Sequence, residues 1–401
     1  MVKAAGPVQR ARALLEMRRP ADAERELRGL LAEEPEHAVG HALLALALAE
    51  QRRPGEAVAE AHEAVRLAPD SWFPHYVAGQ VHNRARQPDQ AIAAGRAALA
   101  LSPEWPPIWE LLARAHVLKG EWPLVAGAAE RGLALDPESA DLMSLLSLAQ
   151  TALGQTRAAT ETAGRAVGLA PESATAHLVY GRAALASGDA RVAAGAFREV
   201  LRLDPGYGQA RDLLVTALKE RNPLHRWLSR VRRRFLGGWW LVFLLPALPP
   251  VIAVFVVISL LHWAAWVTEA VTVLRLARAK ATGLLFDGGE SRVALACCGL
   301  LVAGAATLVA GVVLGSDVLG TAGAAVMALV TAVQEAAHTG SPRGRAVLYG
   351  WAALLGLAVV ASLVSGVWPI ALLTVYAALA TIWIAAGVRR VFGPLGDART
   401  Y

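Results

Sequence analysis

Glu335 and His338 stand three residues apart, with Gln334 beside them, inside an otherwise apolar stretch. On a helix this E-x-x-H spacing sets a carboxylate and an imidazole on one face, as di-metal bundles do. Such a centre needs a second matching pair and further carboxylates. The sequence supplies neither, so no metal is expected. His262 and Glu269 are the other ionisable groups in apolar surroundings. Ionisable residues within a membrane mark functional sites by default, so a transport or proton-relay role competes with simple anchoring. The charge pattern described below puts Glu335 and His338 at the cytoplasmic end of their helix, where charge reaches water, and this favours interfacial anchoring. His37 and His41, one helical turn apart, have the spacing of half a zinc site. Yet His41, His75 and His177 recur at one offset, which reads as a packing position. Cys297 and Cys298 are the two cysteines. Helical neighbours point about 100° apart, so no mutual disulfide is expected. No nucleotide loop, nucleophile elbow or zinc-ligand cluster occurs. The reading is therefore non-enzymatic, with no catalytic residue, no metal and no cofactor.

The elements that carry these groups follow from composition. The chain has 401 residues, of which 18% are charged, against about 25% in a soluble domain. Charge is dense up to Asn222 and nearly absent in long stretches after Trp239. The formal net charge of +6 sits wholly between Lys219 and Arg234. A basic strip beside the first apolar run points to anionic lipid headgroups, and not to nucleic acid. The opening residues MVKAAGPVQRARALLEMRRP contain no apolar core, so no signal peptide is expected and the first half is expected in the cytoplasm.

Prolines at Pro35, Pro69, Pro103, Pro137, Pro171 and Pro205 are each 34 residues apart, and Pro20, Pro54 and Pro88 repeat the spacing. Two helical patterns fit between successive prolines. Leu142, Leu145, Leu146 and Ala149 share one face, as do Ala159, Ala163 and Ala166 in the helix behind them. Small residues recur in phase, as in Ala11, Ala45, Gly79, Ala113, Ser147 and Gly181. Such positions let paired helices approach closely. A last helix, GQARDLLVTALKE, has Leu213, Leu214, Ala217 and Leu218 to cap the stack.

This pattern resembles the tetratricopeptide-repeat family over about residues 4–207. Tyr180, Gly181, Gly188, Ala193, Phe197 and Pro205 fit its consensus, whereas Pro7 stands where a large residue is usual. The resemblance implies an all-α fold. Residues 1–220 form a solenoid of six helix pairs plus a capping helix, and its first helices line a concave groove. The groove-facing positions are then Phe73, Tyr76, Gln80, Asn83 and Arg84 in the third repeat, Glu110 and Arg114 in the fourth, and Arg182 in the sixth. They suit an extended or helical peptide with one or two acidic groups. The Lys/Asn/Arg carboxylate clamp of some relatives is missing at the matching offsets, so chaperone binding is not expected.

The remainder reads as a membrane domain. In residues 221–236, Leu224, Trp227, Leu228, Val231 and Phe235 share one face, with Arg226, Arg230, Arg233 and Arg234 beside or opposite it. This is a helix for the headgroup plane. Residues 237–390 form a transmembrane helical domain, with apolar runs at 235–267, 293–315, 318–338, 346–366 and 368–388. A crossing needs about 20 residues. The first run is broken at Pro246 to Pro250 and is expected to be a hairpin turning near Ala247. Positive charge then places a loop at 268–292, the loop at Arg343 and Arg345, and the tail 391–401 in the cytoplasm. Gly311 with Gly315, and Ala352 with Gly356, are small-xxx-small pairs. They point to a compact bundle or a homo-oligomer. The chain is thus expected to be a membrane-anchored scaffold that binds a protein or peptide partner. The alternative is a transporter, channel or membrane enzyme regulated by the solenoid.

Overall fold

The computed structural model describes the backbone of residues 6–222, 249–278 and 288–392, and side chains at 6–222, 257–276 and 289–392. Most of the basic strip, the first arm of the expected hairpin and most of the tail lie outside the described residues. The chain divides into two compact units, Met1–Leu214 and Val215–Tyr401.

The first unit is a run of antiparallel helix pairs: α1 (Pro7–Glu16) with α2 (Pro20–Glu33), α3 (Ala38–Glu50) with α4 (Pro54–Leu67), and α5 (Trp72–Arg84) with α6 (Pro88–Leu101). Next come α7 (Pro106–Lys119) with α8 (Trp122–Leu135), α9 (Ala140–Ala152) with α10 (Thr156–Leu169), and α11 (Ala174–Ser187) with α12 (Ala190–Leu203). A further helix, α13 (Gly208–Glu220), follows. Proline opens α1, α2, α4 and α6, where its missing N–H is not needed. Ser139 and Ser173 cap α9 and α11 through their hydroxyls. Successive first helices touch: α1 with α3, α3 with α5, α5 with α7, α7 with α9 and α9 with α11. Second helices make no comparable contacts among the described residues. The first helices therefore lie on the inner side of the curve.

The repeat is legible in the packing. Every member of the in-phase small-residue series, from Ala11 to Gly181, is buried. A Cβ on Gly79 would stand 2.6 Å from Leu111 Cδ2, and one on Gly181 would strike the Phe197 ring. Each glycine is thus the notch that receives a large side chain from a neighbouring helix. The recurring histidines hold the turns between repeats. The Nε2 atoms of His41, His75 and His177 lie 2.9, 2.8 and 2.8 Å from the carbonyl oxygens of Pro35, Pro69 and Pro171. Each imidazole satisfies a carbonyl that the preceding helix has no N–H for.

The turn inside each repeat is held in the left-handed region at positions again 34 apart. Arg18, Arg52 and Arg86 have φ of 56°, 60° and 56°, and Gly120, Gly154 and Gly188 have φ of 71°, 77° and 89°. Glycine takes this conformation freely, whereas a residue with a Cβ gives up about 1–2 kcal/mol. Three repeats thus use the residue the turn favours and three do not.

The second unit is built from the last turns of α13 and five long helices. These are α14 (Pro249–Arg278), α15 (Gly288–Leu314), α16 (Asp317–Ala337), α17 (Pro342–Ser365) and α18 (Trp368–Phe392). All five are long and apolar enough to cross a membrane. Of the expected capping face, Leu214, Ala217 and Leu218 are buried and Leu213 is half-buried. Val215 packs against Val273 and Ala294. Helix α16 is central and touches α14, α15, α17 and α18.

Two expectations need correction here. Residues 268–292 are not one loop. Helix α14 continues to Arg278 and α15 begins at Gly288, so Arg275 and Arg292 are helical. Glu269, one of the ionisable groups named in apolar surroundings, is 7% exposed and its charge is met inside the unit. The glycine seam also differs. Gly315 caps α15 with φ 63°, while a Cβ on Gly311 would collide with the backbone of Gly320. The close approach is between α15 and α16, where Gly304 and Gly323 are equally crowded by backbone. A Cβ on Gly356 would meet open space.

Candidate functional site

The groove is built where α5 and α7 lie side by side. Residues Tyr76, Gln80, Asn83 and Arg84 descend one face of α5 at helical spacing, and Glu110 and Arg114 do the same on α7. Together with Pro107 and Leu111 they line one cavity of about 360 Å³. Pro107, Leu111 and the Tyr76 ring supply apolar wall, and the other side chains supply polar groups. Gln80 Nε2 donates to the Tyr76 hydroxyl at 2.5 Å, and Asn83 Nδ2 donates to the Leu111 carbonyl at 3.1 Å. Asn83 Oδ1 is buried without a hydrogen-bond partner. Burial, then the nearby Glu110 carboxylate, push the Tyr76 hydroxyl above its ordinary pKa, so it stays a neutral donor. Arg114 is held by Glu110 at 2.7 Å and lies 3.6 Å from Asp141. Arg84 reaches Glu50 at 3.5 Å. Both guanidiniums remain about half exposed.

Six of the eight groove positions named from the repeat offsets meet at this cavity. The other two do not. Phe73 packs against the core of the first repeats, with the Arg12 guanidinium 5.4 Å above its ring. Arg182 is half-buried on α11, away from the cavity lining. An aromatic cluster beside the cavity had not been singled out. Trp105 lies 4.1 Å from Trp72 and 4.7 Å from Tyr76, centroid to centroid. Its signal was the pair of segments SWFPHY and EWPPIW, which each place a tryptophan just after the repeat proline.

The ionisable groups of the second unit form a separate cluster. Glu335 Oε1 lies 2.7 Å from His262 Nε2 and accepts from Trp266 Nε1 at 3.1 Å. Its Oε2 accepts from the Arg389 guanidinium at 2.6 Å. Glu269 has Lys219 Nζ and His338 Nε2 each at 3.4 Å, and the His338 ring lies 4.7 Å from that of Trp266. The expectation that Glu335 reaches water is overturned: Glu335 is 1% exposed, and Gln334 and His262 are 3% and 5% exposed. The carboxylate stays inside because three partners from α14 and α18 converge on it. His338 does keep a 42% exposed side chain. His37 and His41 are accounted for locally. The first caps α3 through Nδ1, and the second pairs with Glu60 at 2.6 Å. Cys297 is buried, Cys298 is half-buried, and neither forms a disulfide.

The first unit is thus an α-solenoid of two-helix repeats whose first helices face inward and, in the third and fourth repeats, frame a polar cavity. A family model described as tetratricopeptide repeat matches residues 8–71 and 145–208, and the unit is a tetratricopeptide-repeat array. The cavity lies between the two matched stretches. No curated protein matches the chain. Among solved structures, it is similar to a chain of the APC/C hetero-tetramer Cut9–Hcn1, at 19% identity and TM-score 0.49 over 53% of this chain and 42% of that one. This chain therefore spans less than half the length of that relative. It is also similar to Pseudomonas aeruginosa pilF, at 18% identity and TM-score 0.45 over 52% of this chain and 96% of that one. YrrB, a TPR protein with an unusual peptide-binding site, aligns at 17% identity and TM-score 0.36 over 46% of this chain and 95% of its own.

Proposed function

We propose that the protein is a non-catalytic scaffold whose repeat unit holds a protein or peptide partner and whose apolar unit anchors the complex in a membrane. The observation that carries this reading is the convergence of Tyr76, Gln80, Asn83, Arg84, Glu110 and Arg114 on one cavity. Apolar wall, an unpartnered amide oxygen and two half-exposed guanidiniums suit a peptide with an acidic group. Phe73 and Arg182 would contact the partner on either side. Arg226, Arg230, Arg233 and Arg234 would meet lipid headgroups, each contributing on the order of 1 kcal/mol at an anionic surface. The solenoid and the C-terminus would both be cytoplasmic, with the apolar helices free to pair between copies.

The test is photo-crosslinking of the full chain in its own membranes, with the crosslinker at Gln80. Tyr76→Ala with Arg114→Ala should cut the captured partner about tenfold, the size of one hot-spot loss. Arg157→Ala, at a 94% exposed position, should leave it unchanged. Equal capture by all three proteins sinks the groove reading. Orientation is tested separately by labelling Arg157→Cys with an impermeant maleimide, in a background lacking Cys297 and Cys298. Labelling in intact cells contradicts a cytoplasmic solenoid.

A further inference from the structure

The three left-handed arginines are the observation that the groove does not absorb. Arg18, Arg52 and Arg86 occupy equivalent turns of the first three repeats, at φ of 56°, 60° and 56°. Repeats four to six have glycine there, which meets the same backbone demand without strain. Backbone strain held at a repeated position points to a role for the side chain. All three side chains are exposed, and none joins an ion pair among the described residues. Most acidic groups near them in sequence are engaged elsewhere, and Glu16 joins no ion pair among the described residues. Asp22 is held by Arg19 and Arg25, Glu24 and Glu56 by Arg53, Glu50 by Arg84, and Asp89 by Lys119. What is left on this edge is a row of three free guanidiniums, one per repeat.

We propose that this edge binds an extended acidic protein segment with carboxylates at every third residue. Helices α1, α3 and α5, which carry the turns, touch in succession, and packed helices lie about 8–10 Å apart. Three residues of polyproline-II chain advance ~9 Å and return the side chain to the same face. Acidic residues at i, i+3 and i+6 therefore meet Arg18, Arg52 and Arg86 in register. Each pair is a charge-assisted hydrogen bond in solvent, so affinity comes from the matched spacing of all three. The edge is distinct from the cavity lining, which contains none of these arginines.

The glycine substitution makes the test clean, because it removes the charge while suiting the turn. Full-length protein and the variant R18G/R52G/R86G are placed in phosphatidylcholine nanodiscs. They are titrated with a peptide of four Glu-Pro-Pro repeats and with one of equal composition carrying its four glutamates in a block. Wild type should prefer the periodic peptide, and the triple variant should lose about tenfold in affinity for it with an equal or higher melting temperature. Should the triple variant not fold, R52G alone must show a smaller loss of the same sign. Unchanged binding by the folded variant, equal binding of the two peptides, or binding by wild type only to phosphatidylserine vesicles overturns the proposal.

Discussion

The two units solve the same packing problem with the same small residues in opposite ways. In the repeat unit a glycine is a notch for a side chain: Gly181 faces the Phe197 ring and Gly132 faces Leu142. In the apolar unit glycine faces backbone, with Gly311 on Gly320 and Gly323 on Leu308. The proposed membrane placement of the apolar unit accounts for the difference. Burying Phe197 in a solvated solenoid gains hydrophobic free energy, so a notch filled by a ring is worth having. In the membrane setting proposed for the apolar unit that gain would vanish, and close backbone approach would be what remains. Polar groups follow the same division. Ion pairs of the repeat unit sit mostly on its surface, and Asn83 Oδ1 is left without a partner. In the apolar unit both Glu335 oxygens are engaged from neighbouring helices. A saturated carboxylate holds helices together, whereas an unsaturated groove can accept a partner.

The largest effects come from breaking each unit at its own kind of anchor. Arg389→Ala leaves the Glu335 carboxylate buried without its cation, and such losses run about 3–5 kcal/mol. Phe197→Ala empties a 0% exposed site and should cost about 3–5 kcal/mol as well. Thermal unfolding of the full chain in nanodiscs measures both. The comparison breaks if Arg389→Ala is neutral while Glu335 stays charged. Combining Arg389→Ala with Glu335→Ala should recover part of the loss, because the orphaned charge is removed.

Glycine replacements sharpen the contrast at smaller scale. Gly311→Ala sets a methyl against the Gly320 backbone, which cannot rotate away, so about 1–3 kcal/mol is expected. Gly79→Ala meets the end of the Leu111 side chain, a flexible group that can shift, and should cost less. Equal losses at the two sites would show that the two seams are not different in kind.

What was readable beforehand divides along the same line. The repeat and its buried small positions follow from a period of 34, because each contact in a solenoid lies within a repeat or between neighbours, and the six cavity residues follow from the family resemblance that this period carries. The apolar unit offers no such period. His262, Trp266 and Arg389 meet Glu335 from 73, 69 and 54 residues away. Nothing local marks them as partners. Glu269 stood out as an ionisable group in apolar surroundings, but its partner Lys219 is 50 residues back, and nothing local links the two. The left-handed arginines stayed hidden because arginine carries no signature for positive φ. Only the glycines at the same offset in later repeats pointed there.

The smallest expected effect tests whether surface pairs of the repeat unit really matter less than the buried cluster. Glu24 is the most enclosed of the surface carboxylates, with a side chain 13% exposed. Burial raises its pKa, but hydrogen bonds from Gln51, Arg28 and Arg53 outweigh this and hold it at about 2, against an ordinary 4.5. The folded state thus binds fewer protons than the unfolded one between those values. Its contribution is complete above pH 4.5 and is lost as pH falls through about 2. Because Arg28 and Arg53 are substantially exposed, solvent screening limits the gain to about 1 kcal/mol. Unfolding of wild type and Glu24→Gln across pH 5 to about 2 should therefore converge at the acid end. A constant gap would assign the difference to packing around Gln51 instead of charge. A gap as large as that of Arg389→Ala would erase the distinction between the two units.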